Sequence, residues 1–80
     1  MKLTFGTYVE PDKVLVTEFS TYKDCWDAIR KYLKKHHRHA DYARIVGLED
    51  NQTMIDFGSW SEFFFINTSF EQFQALREKP

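Results

Sequence analysis

Eighty residues, 42% hydrophobic and 29% charged, make one domain, with no room for a cofactor-binding domain beside a substrate domain. The formal net charge is −1, no apolar run approaches the roughly 20 residues of a spanning helix, and one cysteine excludes an internal disulfide framework. Disordered, membrane-spanning and disulfide-stapled classes are set aside; with no secretory pattern after Met1, a cytoplasmic protein without a membrane partner is expected.

Leu3, Phe5 and Val9 alternate with Thr4, Gly6 and Tyr8, the period of a half-buried strand. Glu10-Pro11-Asp12-Lys13 reads as a turn, and the β-branched run Val14–Phe19 as the returning strand of a hairpin. Thr21 with Asp24 three residues on approaches a capping box. Behind it Tyr22, Trp26, Ile29 and Leu33 recur at helical spacing, which predicts a helix over 21–37 with Asp27 placed to pair with Lys31. Three short strands follow, Tyr42–Leu48, Thr53–Phe57 and Glu62–Ile66, and their short connections predict an antiparallel meander. A last short helix starts near Thr68 or Ser69, with Phe70, Phe73 and Leu76 inside and Pro80 at the end. The expected fold is therefore α+β, a single domain over 1–80 in the order ββαβββα. Whether the first hairpin extends the meander or packs separately is left open.

From Tyr22 onward the order α-β-β-β-α resembles that of double-stranded-RNA-binding domains, in topology alone. That family grips phosphate with a basic cluster at the start of its second helix, where this chain has Ser69-Phe70-Glu71-Gln72-Phe73. Its groove-reaching loop corresponds to Glu49-Asp50-Asn51-Gln52, which would repel RNA. No family is identified by motif.

Charge is unevenly divided. Residues 1–40 hold eight Lys/Arg against five Asp/Glu, and residues 41–80 hold three against seven. Arg30, Lys31, Lys34, Lys35 and Arg38 concentrate the positive half, with Tyr32 and Tyr42 near in sequence. Cations neutralise phosphates and aromatics stack on bases, so this run makes nucleic-acid binding the alternative reading. The bland reading is a solvated helix face whose cations complement the helix C-terminus.

His36, His37 and His39 suggest a metal, yet adjacent helical imidazoles diverge, three cations surround them, and Cys25 lies about three helical turns away. No metal or cofactor is expected. Cys25 falls in the first helical turn, where the dipole favours a thiolate, but it borders the apolar stripe and reads as an inert buried thiol. Asp41, Glu49, Asp50, Asp56 and Glu62 show no spacing that singles out a catalytic pair, and the three glycines are isolated. The chain is therefore not expected to be an enzyme.

Phe63-Phe64-Phe65-Ile66 is apolar on both faces of one strand. If both helices cover the same face, the other is left for a partner or a second copy of the chain, and Phe64 becomes a contact candidate. Trp60, in a predicted turn beside Gly58, is either tucked against the core edge or an interface anchor, and interface hot spots favour Trp. The function expected is a non-catalytic interaction protein of inhibitor or adaptor type, acting by occupancy. Its protein partner is met by Trp60 and Phe64 with the acidic pair Glu49 and Asp50, or by the basic end of the long helix, and a homodimer is compatible with the same pattern.

Overall fold

A computed structural model describes residues 1–78, so Pro80 lies outside the described residues. The chain runs β1 (Lys2–Gly6), β2 (Val14–Glu18), α1 (Tyr22–Lys35), β3 (Arg44–Leu48), β4 (Gln52–Asp56), β5 (Phe63–Ile66) and α2 (Phe70–Arg77), the expected α+β order. All five strands form one antiparallel sheet in the order β2-β1-β5-β4-β3. The first hairpin thus extends the meander: β1 pairs with β5, Leu3 opposite Ile66 and Gly6 opposite Phe63. No described helix is long and apolar enough to cross a membrane.

Both helices pack on the same face. Cys25, Ile29 and Leu33 of α1 and Phe73 of α2 join Leu3, Phe5, Phe19, Ile55, Phe57, Phe64 and Ile66 in one buried core. Two caps start these helices as the sequence predicts. The Thr21 hydroxyl accepts from the Asp24 N–H at 3.1 Å, and the Ser69 hydroxyl from the Gln72 N–H at 3.2 Å. On α1 the expected Asp27–Lys31 pair does not form. Asp27 sits between Lys23 and Arg30, at 2.6 and 2.7 Å, and their hydrogen bonds hold its carboxyl below the ordinary carboxylate value.

The opposite face carries Met54, Phe63 and Phe65, with Val46 and Leu48 beside them. The hairpin loop 7–13 folds over part of it. Tyr8 lies 5.0 Å from the Phe63 ring and 6.5 Å from Phe65, and the Thr4 hydroxyl donates to the Pro11 carbonyl at 2.8 Å. Only glycine at position 6 permits this return, because a Cβ there would run into the Glu10 carbonyl oxygen. Alternation alone predicts that β1 continues to Val9; the loop leaves the sheet after Gly6 because Tyr8 finds aromatic partners on the face that the helices leave uncovered.

Candidate functional site

The register puts three loops at one end of the sheet. Gly6 faces Phe63, so loop 7–13 after β1 and loop 57–62 before β5 leave from the same end. The connection 36–43 arrives there too, since the Asp41 N–H donates to the Phe57 carbonyl at 3.1 Å. The β3–β4 turn, 49–51, lies at the opposite end, beyond the Thr53–Ile66 and Leu3–Ile66 pairs.

α1 stops in a way that aims one side chain into the loop cluster. His37 takes the left-handed region at φ 55°, its N–H donating to the Lys34 carbonyl at 3.1 Å while the Arg38 N–H reaches back to Leu33 at 2.8 Å. This is a Schellman ending, with histidine where glycine is usual. The turn carries Arg38 back toward the sheet. Its guanidinium meets Glu62 Oε1 at 2.8 Å, donates to Ser59 Oγ at 3.3 Å, and lies 5.2 and 5.6 Å from the Phe57 and Phe5 ring centres.

Loop 57–62 is held at its other end by Asp56, only 6% exposed. One carboxylate oxygen accepts from the Gly58 N–H at 2.9 Å; the other accepts from the Tyr42 hydroxyl at 3.5 Å and pairs with Arg44 at 3.3 Å. Gly58 has φ 103°, and a Cβ on it would press against Asp41, so glycine is required twice over. Between these fixed points Trp60 is 100% exposed. The turn reading therefore resolves to a projecting indole, not one tucked against the core edge. Val9 at 95%, with Tyr8 and Tyr42 each more than half exposed, shares this end of the molecule.

The other expected contact residues separate. Glu49 and Asp50 are exposed, but at the far end, where Asp50 and Asn51 adopt φ 62° and 57° to turn the chain. They do not join Trp60. Phe64 is fully buried, with its ring 5.0 Å from Phe5, 5.4 Å from Phe57 and 5.7 Å from Tyr32. Its side of β5 faces the helices, so Phe64 is a core residue, and the other side presents Phe63 and Phe65.

The basic run divides as well. Arg38 is turned into the loop cluster and Arg30 pairs with Asp27, which leaves Lys31, Lys34 and Lys35 exposed on α1. These lysines rim an open groove of about 1080 Å³ between α1 and β2 that also holds Glu18, Asp24 and Asp27. The histidines disperse: His36 stacks on Tyr32 at 4.4 Å, His37 forms the helix end, and His39 lies 3.4 Å from Asp41. Among the described residues no three His, Cys, Asp or Glu side chains converge. Cys25 is fully buried, and burial pushes its thiol up to about 12.

Sequence reasoning missed Arg38 as the clasp of the loop cluster and Tyr8-Val9 as loop residues. The signals for both were short: Asp56-x-Gly58 for an aspartate-held turn, and Gly6 ahead of Thr7-x-x-Glu10 for a chain reversal. The Thr7 hydroxyl accepts from the Glu10 N–H at 3.1 Å. In comparisons of sequence and structure, no protein family, curated protein or solved structure matches this chain.

Proposed function

We propose that this chain is a non-catalytic interaction protein that binds a protein partner through the loop end of its sheet and acts by occupancy. The observation that carries the reading is Trp60, wholly exposed on a loop pinned by Asp56 on one side and by Arg38 on the other. An exposed indole on a loose loop would lose conformational freedom on binding; on a pinned loop most of that loss has already occurred during folding. Aromatic anchors dominate interface energetics, and Val9, Tyr8 and Tyr42 supply apolar surface at the same end. Of the contact set expected from sequence, Trp60 is retained. Phe64 is withdrawn, and Glu49 and Asp50 are assigned no part in this contact.

Nucleic-acid binding has less support, because two of the five cations already serve ion pairs and the remaining three share their groove with three acids. Photo-crosslinking from position 60, in cells that naturally carry the chain, tests the proposal. A protein adduct at position 60 that is absent from position 49 is the expected result. Adducts only at position 49, or recovery of nucleic acid instead, would overturn it.

A further inference from the structure

The two faces of the sheet are covered by different means. Two helices close one of them. On the other, Met54, Phe63 and Phe65 are only 3%, 6% and 4% exposed, although their cluster contains no helix residue. Part of that cover is loop 7–13, and its hold on the sheet is slight. Two of its hydrogen bonds are internal, from the Thr7 N–H to the Glu10 carbonyl and from the Glu10 N–H to the Thr7 hydroxyl, each 3.1 Å. Among the described residues the loop is tied to the sheet by one hydrogen bond, Thr4 to Pro11, and by the Tyr8 ring on Phe63 and Phe65. Glu10, Asp12 and Lys13 are exposed and form no ion pair among the described residues. Beside that tie the loop does not close down on the sheet. A cleft of about 330 Å³ is left, walled by Pro11 and Asp12 on the loop and by Lys2, Thr4, Gln52 and Phe65 below.

We propose that loop 7–13 is a strap that lifts off the sheet between Gly6 and Val14 while the rest of the fold stays closed, uncovering Phe63 and Phe65. A segment with few buried contacts and an exposed backbone opens at a smaller free energy than the whole domain. Lifting this one breaks a single bond to the sheet and withdraws a single ring. No residue of the loop belongs to the core that the helices close, and the β1–β5 pairing ends at Gly6 and Phe63, before the loop begins. Gly6 is the pivot. The Glu10 carbonyl passes so near it that a Cβ there would collide with the oxygen, so the closed strap depends on glycine at this position. What the strap uncovers is continuous with the loop end, because Phe63 follows Glu62, which Arg38 holds. In the closed form Tyr8 occupies that surface; in the open form the surface extends the apolar contact that begins at Trp60. This use of the strap rests on the reading of Trp60 as a partner contact, whereas the opening itself does not.

Cleavage of the folded full chain by chymotrypsin tests the strap, because the protease draws an aromatic side chain into its apolar pocket. To be cut after Tyr8, the chain must first withdraw that ring from Phe63 and Phe65. Cuts after Trp26 and Tyr32 in α1 require loss of the fold. The initial rate of cleavage after Tyr8 is expected to exceed that after Trp26 or Tyr32 by about tenfold or more. Gly6→Ala holds the strap off the sheet, and is expected to raise the fluorescence of added anilinonaphthalene sulfonate by about threefold or more while the α1 amides keep their protection from hydrogen exchange. Cleavage after Tyr8 no faster than in α1 would overturn the proposal. So would a Gly6→Ala variant that keeps α1 protected and binds no more dye, or one in which α1 protection is lost, since loop and core would then melt together. Both readouts use the chain alone, so a failed capture at position 60 leaves them untouched.

Discussion

Phe64 and Trp60 stand four residues apart and face opposite fates. Phe64 follows loop 57–62 into β5 and disappears beneath two helices, ringed by Phe5, Phe57 and Tyr32. Trp60 stands on that loop in full contact with water, between the Asp56 bond to Gly58 and the Arg38 bonds to Ser59 and Glu62. One aromatic supplies folding free energy and the other none. One of the chain's two tryptophans is thus left exposed on a loop fixed at both ends, the observation on which the proposed partner contact rests.

The comparison breaks most sharply by truncation. Phe64→Ala should destabilise the fold by about 3–5 kcal/mol, read as a lowered denaturant midpoint. Trp60→Ala should stay within about 0.5 kcal/mol of wild type in the same titration. A large loss from Trp60→Ala would mean that the indole packs on its surroundings in solution.

The clasp comes next. Arg38→Ala removes the Glu62 pair, the Ser59 bond and the stack on Phe57 and Phe5, and should cost about 1–2 kcal/mol. Amide hydrogen exchange in 58–62 should speed up with it. Unchanged exchange would show that Asp56 holds the loop alone.

His37→Gly should stabilise by about 0.5–1 kcal/mol, since glycine occupies the left-handed position at the end of α1 without strain. An equal loss would indicate that the His37 side chain makes a contact that matters.

The smallest expected effect concerns pH. The Cys25 thiol, pushed up to about 12, keeps its proton in the folded state while an unfolded thiol loses its own near 9. Above pH 9 the unfolded state binds fewer protons, so this group's contribution to stability falls as pH rises from 9 toward 12, and it is constant below 9. Iodoacetamide at pH 9 should label the unfolded chain and spare the folded one. Rapid labelling of the folded protein would contradict the burial of Cys25.

Much of the fold was legible because its signals are local. Thr21 and Ser69 cap helices where their spacing to Asp24 and Gln72 predicts, and helical periodicity from Tyr22 to Leu33 names the inner face of α1. What was not legible depends on which strand lies beside which. The run Phe63–Ile66 reads as apolar on both faces, but only the β1–β5 pairing and the shared face of the helices decide that Phe64 is inside. Glu49 and Trp60 are close in sequence, yet one strand's length of β4 puts them at opposite ends of the sheet. Arg38 reads as part of a basic run because composition cannot show that a Schellman turn swings it off the helix face.

The contact role of Trp60 is tested most directly by placing a photoreactive amino acid at position 60 and, separately, at position 49, and comparing what each captures. A single protein adduct from position 60 and none from position 49 is the predicted outcome. Capture from position 49 alone, or from neither, would contradict the account and return Trp60 to an exposed side chain without a partner.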